Sequence, residues 1–297
     1  LSGWGLFTAD VATAFLSGHP SDRGMSVSLP SDALRFLGGD QFTRMRLKKS
    51  MYGLTDAPKE WYKAALAKMK RLGFIIHKLD QCLFISVNSK GAMDGVVGIH
   101  VDDMLGAGDQ SQRPTYASDG SPTNYAARLA SMRKIFDFRS WNDGESLTFC
   151  GSDISQDRKA GKIKMSQPQF AKGLSPVPLT RARAAQETAP ATPQEKSALR
   201  GLLGALQWPA SQTAAFRASS VSLLQGHVNS ATVNDIKEAN KVLRFYQANA
   251  DVGLHFERVC RPHEVVFGTF SDAAWAVRKS GASQGGLLSW ASGPGVM

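Results

Sequence analysis

The sequence predicts an α+β chain: strands mixed with helices first, a mainly helical stretch next, and strands again at the end. Three observations predict it. Short β-rich runs surround one strong helical pattern in residues 1–110, apolar positions recur at helical spacing through most of 194–250, and alternating apolar runs return from Gly253. With 297 residues, the chain has room for about two domains. An apolar content of 42% allows a sizeable core and excludes wholesale disorder.

The elements follow in order. Leu6 to Ala9 reads as a strand leading into Asp10, and Arg23 to Leu29 as an alternating strand. Trp61, Ala65, Leu66, Met69 and Leu72 mark a helix over 57–72, with Asp56 as its N-cap and Pro58 in the first turn. Cys82 to Val87 and Gly95 to Val101 read as strands. Asp102-Asp103 then forms a two-residue polar turn before a further apolar strand, which is hairpin syntax. The polar stretch 109–123 is a loop, and Tyr125 to Phe136 a helix. Leu147 to Ile154 and Lys162 to Met165 read as strands. Ser175 to Pro193, rich in Pro, Ala and Thr, reads as a mobile connection. Two amphipathic helices follow, marked by Leu199, Leu202, Leu203 and Leu206 and by Ile236, Ala239, Val242, Leu243 and Tyr246. Val265 to Phe270 and Gly285 to Trp290 close the chain as strands, with Ser283-Gln284-Gly285-Gly286 as the turn into the last.

Charge and cysteine usage narrow the function classes. The net charge is +10, from 35 Lys and Arg against 25 Asp and Glu. That surplus suits a polyanionic partner such as nucleic acid, or an ordinary basic protein. Residues 40–71 hold nine basic against three acidic residues, more than half of the surplus, with Tyr52, Trp61 and Tyr62 interleaved. These lysines read equally as phosphate contacts or as a solvated helix face. Cys82, Cys150 and Cys260 lie far apart, which excludes a disulfide scaffold and a zinc finger and suits a reducing compartment. No apolar run approaches the ~18 residues of a membrane span. Leu1 at the start and a strand running to Met297 at the end suggest a piece of a longer protein.

The sharpest signal is Asp102-Asp103 between apolar strands. Adjacent carboxylates at a buried edge repel each other, and a cation relieves them; hard oxygen donors favour Mg²⁺ or Mn²⁺. Asp10 sits at another strand end. Three converging carboxylates suit two metals ~3.5–4 Å apart. The alternative is a solvated hairpin turn, where Asp is common.

Asp10-Val11-Ala12-Thr13-Ala14-Phe15-Leu16-Ser17-Gly18 resembles the first catalytic motif of copia-type LTR retrotransposon reverse transcriptases. The stretch Leu47-Lys48-Lys49-Ser50-Met51-Tyr52-Gly53-Leu54-Thr55-Asp56-Ala57-Pro58-Lys59-Glu60-Trp61-Tyr62 is similar to that family's long second signature. Asp80-Gln81-Cys82-Leu83-Phe84, Val101-Asp102-Asp103-Met104-Leu105 and Phe149-Cys150-Gly151-Ser152-Asp153-Ile154 continue the series in family order. Leu243-Arg244-Phe245-Tyr246 resembles the helical region that follows. Ser271-Asp272-Ala273-Ala274-Trp275-Ala276 resembles the opening of the attached RNase H domain.

The resemblance implies a polymerase palm over 1–174, an antiparallel sheet with helices on one face. It further implies a linker over 175–193, a helical thumb or connection over 194–252, and a truncated RNase H-like α/β start over 253–297. It implies RNA-directed DNA polymerisation, with Asp10, Asp102 and Asp103 as ligands of two Mg²⁺ (or Mn²⁺) ions. Val11, Ala14 and Phe15 would face the nucleotide, Phe15 as a steric gate under the sugar, although core packing after a strand also explains an aromatic there. Lys48, Lys49 and Lys59 would contact nucleic acid, and Asp272 would be the first metal ligand of an incomplete RNase H site. The implied partners are an RNA template, a DNA primer, dNTP and the remainder of the Pol polyprotein, with no membrane. The implied location is intracellular, in a cytoplasmic particle or the nucleus, and not secreted.

Departures from the family pattern are His100 before Val101, read as a tolerated strand residue, and Asp56 where Gln is common. Only nine residues precede Asp10, so the basic fingers residues that grip the triphosphate are expected to be missing. Two rivals remain: a non-catalytic nucleic-acid-binding remnant of a decayed retroelement, and an unrelated Mg²⁺-dependent phosphohydrolase.

Overall fold

The computed structural model describes residues 3–20, 23–257, 264–274 and 283–293. Its elements in chain order are β1 (Gly5–Val11), β2 (Ser26–Ser28), α1 (Ser31–Leu37), β3 (Arg44–Arg46), α2 (Ala57–Arg71), β4 (Ile75–Ile76), β5 (Leu83–Val87), β6 (Met93–His100), β7 (Asp103–Gly108), α3 (Tyr125–Ile135), β8 (Phe138–Asn142) and β9 (Ser146–Phe149). There follow β10 (Ser152–Asp157), β11 (Lys162–Ser166), α4 (Pro168–Gly173), α5 (Arg181–Ala184), α6 (Pro193–Gln212), α7 (Ala218–His227), α8 (Val233–Ala248), β12 (Leu254–Glu257), β13 (Val266–Ala274) and β14 (Gln284–Ser292). The chain divides into two compact units between Cys150 and Gly151, not at 174.

The first unit is built on a six-stranded sheet in the order β4-β5-β6-β7-β1-β8. Its pairings are antiparallel. β1 is almost wholly buried, as an interior strand requires, with Phe7, Ala9 and Val11 on one face and Leu6, Thr8 and Asp10 on the other. α2 and α3 cover the sheet. On α2, Trp61, Ala65 and Met69 repeat at four-residue spacing and are buried together with Leu72. Asp56 stands at the cap position of α2 but makes no capping hydrogen bond; its backbone is already helical, at φ −91° and ψ −12°, and its Oδ2 pairs with Arg23 at 3.4 Å. On α3, Asn124 is the cap, accepting from the Ala127 N–H at 3.0 Å. Tyr125 is fully buried against Gly95 and Gly108, where any Cβ would overlap its ring.

A buried polar network ties this unit together. Ser86 Oγ donates to Asp94 Oδ1 at 2.6 Å, and the Tyr125 N–H donates to Asp94 Oδ2 at 2.8 Å. Arg128 donates to Ser86 Oγ at 2.9 Å and to the Leu72 carbonyl at 3.2 Å. One buried carboxylate thereby joins two strands, the start of α3 and the end of α2.

The second unit has a helical core. Leu199, Leu203 and Leu206 of α6 meet Val221 of α7 and Ile236, Ala239 and Leu243 of α8. A capping box starts α6, with Thr192 and Glu195 bonding reciprocally, and another starts α8, with Thr232 and Asp235. The stretch 175–193, read from sequence as a mobile connection, is instead part of this core. Val177 and Ala191 are buried in it, and the Asn240 side chain bonds both the N–H and the carbonyl of Val177 at 2.9 Å. Strands β10, β11 and β12 pair antiparallel in that order.

β13 and β14 form an antiparallel pair from Val266↔Ser292 to Ala274↔Gln284. The single strand expected over Leu147 to Ile154 is two, β9 and β10, broken at Cys150-Gly151, where both residues have positive φ. Among the described residues no helix is long and apolar enough to cross a membrane.

Candidate active site

Two neighbouring strands bring the predicted carboxylates together. Asp10, near the end of β1, lies directly opposite Asp103, the first residue of β7. Asp102 precedes Asp103 in the turn. The sequence reading made Asp102-Asp103 the turn pair; the structure makes it Val101-Asp102, with the ladder running on through His100↔Asp103. Asp103 is therefore held in the sheet, facing Asp10. Two hydrogen bonds fix the turn: the Val11 N–H donates to the Asp102 carbonyl at 2.9 Å, and Trp61 Nε1 donates to the Val101 carbonyl at 2.6 Å. A buried aromatic of α2 thus holds the turn that carries Asp102, a role no sequence pattern announced.

The electrostatics are unrelieved. Burial, then the charges of Asp102 and Asp10, push the Asp103 carboxyl above its ordinary range, against smaller lowering effects of Cys150 and His100. Cys150 donates its thiol to Asp103 Oδ2 at 3.8 Å. Burial and the Asp103 charge push that thiol up to about 11, so at neutral pH it is a protonated donor. Asp10 Oδ1 is buried and accepts no hydrogen bond; Arg139 Nε stands 3.5 Å away without hydrogen-bond geometry.

Backbone strain gathers in the same place. Thr13, Val101 and Cys150 are the non-glycine residues with positive φ among those described, at 47°, 56° and 46°. Val101 precedes Asp102 in the chain and Cys150 bonds Asp103, while Thr13 lies three residues past Asp10; such conformations cost on the order of 1–3 kcal/mol each. For Val101 the strain is sharpest, since a β-branched side chain disfavours this region.

The donor set fits a hard divalent cation. It is all oxygen, it carries repelling charge, and it includes one buried oxygen without a hydrogen bond. No group of three or more His, Cys, Asp and Glu side chains stands in a metal-holding arrangement among the described residues. The residues that fit are Asp10 and Asp103 as a facing pair, with Asp102 beside them.

The other predicted residues fall in several places. Val11 and Ala14 put their side chains in the core of the first unit. Phe15 is half-buried and tilts against Tyr52, ring centroids 4.9 Å apart. Lys48, Lys49 and Lys59 are exposed. Lys59 lines a cleft of about 610 Å³ together with Arg23, Asp56, Glu60 and Lys63, and Lys63 pairs with Glu60 at 2.8 Å. Lys68, counted in the same basic cluster, lies over the Phe136 ring at 4.7 Å. Asp272 lies within β13, opposite Gly286, and not after the strand as expected; its Oδ1 accepts from the Ala273 N–H at 2.8 Å. Trp275 and Ala276 of the same motif, and Cys260, lie outside the described residues.

Arg139, Cys150 and Trp61 are the site residues that sequence reasoning did not assign there. Arg139 carried no local signal, since nothing in 136–142 marks a bulge.

A family model described as reverse transcriptase (RNA-dependent DNA polymerase) matches residues 1–187. The chain is similar to the retrovirus-related Pol polyprotein from transposon RE1 of Arabidopsis thaliana, 26% identical over 290 residues, which are 92% of this chain and 18% of that protein. Its similarity to the corresponding polyprotein from transposon TNT 1-94 of Nicotiana tabacum is 25% over 162 residues, 54% of this chain and 11% of that one. To the polyprotein from transposon RE2 of Arabidopsis thaliana it is 23% identical over 275 residues, again 92% and 18%. The chain thus spans less than a fifth of the length of each of these relatives.

Proposed function

Because the chain belongs to the reverse transcriptase (RNA-dependent DNA polymerase) family, we propose that it is the DNA-synthesising part of a copia-type retrotransposon Pol polyprotein, and that Asp10, Asp102 and Asp103 are its catalytic carboxylates. The observation that carries this reading is the facing pair Asp10↔Asp103 with Asp102 in the adjoining strained turn. Divalent cations held there would supply a 3′-hydroxyl made acidic enough to attack and neutralisation of the triphosphate charge.

The chain's own residues do the rest. The sheet holds two carboxylates at fixed register, and Trp61 and Val11 hold the turn that carries the third. Phe15, braced by Tyr52, forms a wall against which a 2′-hydroxyl would clash, favouring dNTP. Lys48, Lys49 and Lys59 attract the phosphates of an RNA template and DNA primer. In this reading the first unit is the palm, the helical core the thumb or connection, and β13 with Asp272 the start of an RNase H-like domain.

Primer extension on an RNA template tests this, using the chain alone and joined to neighbouring Pol sequence. Asp102→Asn is expected to lower extension by about 10²-fold or more while nucleic-acid affinity stays near wild type, since it removes a carboxylate and not a phosphate contact. Extension at the wild-type rate in the variant would sink the carboxylate assignment. Binding without extension in both proteins would favour the non-catalytic remnant.

A further inference from the structure

The ion pair between Arg139 and Asp10 is made by a defect in the sheet. Along β1, Asp10 pairs with Ser140 of β8, but the next residue, Val11, pairs with Phe138. Arg139 is thus the extra residue of a β-bulge, opposite no residue of β1. A bulge re-aims the side chain it carries, and bulges gather beside active sites. This one is anchored on both sides. Trp141 stacks on Phe7 with ring centroids 4.3 Å apart, and Phe138 meets Trp141 edge-on at 5.2 Å. β8 is also the edge strand, so its outer side has no further strand to oppose the bulge. The outcome is a guanidinium Nε 3.5 Å from Asp10 Oδ1, the buried oxygen that accepts no hydrogen bond.

That contact is unfinished. At 3.5 Å and without hydrogen-bond geometry, Arg139 supplies charge to Asp10 and little else. Its side chain is 62% exposed, and that of Asp10 26%, so the pair is screened and opens cheaply. The oxygen Arg139 approaches is one that a hard cation would need.

We propose that Arg139 is a positioning residue that holds the Asp10 carboxylate in a standby state and releases it when the carboxylates take up a divalent cation. The inference rests on the reading of Asp10, Asp102 and Asp103 as the catalytic carboxylates. Arg139 keeps Asp10 from turning away from Asp103 under mutual repulsion, at the expense of competing for the same oxygen. The competition sets how much free cation the site requires.

Terbium(III) titration tests this, read as luminescence sensitised by Trp61 and Trp141, alongside the Mg²⁺ dependence of primer extension. Arg139→Gln should lower the half-saturating Tb³⁺ and Mg²⁺ concentrations about two- to fivefold, the range that an exposed ion pair allows. Arg139→Lys should stay near wild type, because a cation is retained; thermal midpoints check that both variants fold. Equal or weaker Tb³⁺ binding in Arg139→Gln, with binding lost in Asp10→Asn, would overturn the proposal and leave the carboxylate assignment standing. A raised dNTP requirement at unchanged Tb³⁺ affinity would also overturn it, making Arg139 a triphosphate contact. Unchanged Tb³⁺ binding in both Asp10→Asn and Asp103→Asn would instead remove the carboxylate assignment beneath it.

Discussion

The two compact units treat their carboxylates in opposite ways. In the first, Asp103 is pushed up by burial and by its acidic neighbours, and Asp10 keeps a buried oxygen without a hydrogen bond. In the second, hydrogen bonds from Arg183, and then from the Thr192 backbone, pull Glu195 down to about 2. Burial works against Asp235, but bonds from Thr232 and His227 outweigh it and hold the carboxyl below its ordinary range. The strained non-glycine residues also fall on one side of the boundary, at Thr13, Val101 and Cys150. Where local chemistry agrees with the fold, carboxylates cap helices. Where it disagrees, the disagreement is concentrated at Asp10 in β1 and Asp103 in β7, which face each other.

After the loss of extension in Asp102→Asn, the largest expected effect lies in the first unit but away from the site. Asp94→Ala strands Ser86, Arg128 and the Tyr125 N–H in the interior and should destabilise by about 3 kcal/mol, the usual consequence of removing one partner of a buried charged network. Urea unfolding measures it; a loss below about 1 kcal/mol would show that the first unit depends less on this network than its burial suggests.

A smaller effect with the opposite sign sharpens the contrast. Asp103→Asn removes a repelling charge and should raise stability by up to about 1 kcal/mol, after discounting for solvent screening, even as extension is lost. A lower melting temperature would mean that the site's charges are already balanced.

The smallest effect is in acid. The Glu195 carboxyl is depressed in the fold, so its contribution is present above the unfolded value near 4.5 and is lost as pH falls toward about 2. Asp103 is raised, so the fold favours its protonated form; its contribution is present below the unfolded value of 3.8 and disappears as pH rises through the folded value. Glu195→Gln should therefore flatten the decline of stability between pH 4.5 and 2, measured by thermal melts in a pH series. An unchanged acid limb would place that decline elsewhere.

Much of this was written locally in the chain. Helix α2 was legible because Trp61, Ala65 and Met69 repeat at helical spacing. The Asp102-Asp103 hairpin was legible because polar residues interrupt two apolar runs, and the motif resemblance ordered Asp10 with it. What tertiary structure alone decided involves partners distant in sequence. Val101 became a turn residue because the ladder continues to His100↔Asp103 and Trp61, forty residues away, takes its carbonyl. The stretch 175–193 has no periodicity and reads as a linker, yet Asn240, 63 residues on from Val177, bonds it into a core. Arg139 reached Asp10 through a bulge that depends on Phe7, Phe138 and Trp141 packing around it. Periodicity and motifs record interactions within a few residues, whereas register, bulges and buried polar bonds are settled by which distant segments meet, and only the folded chain specifies that.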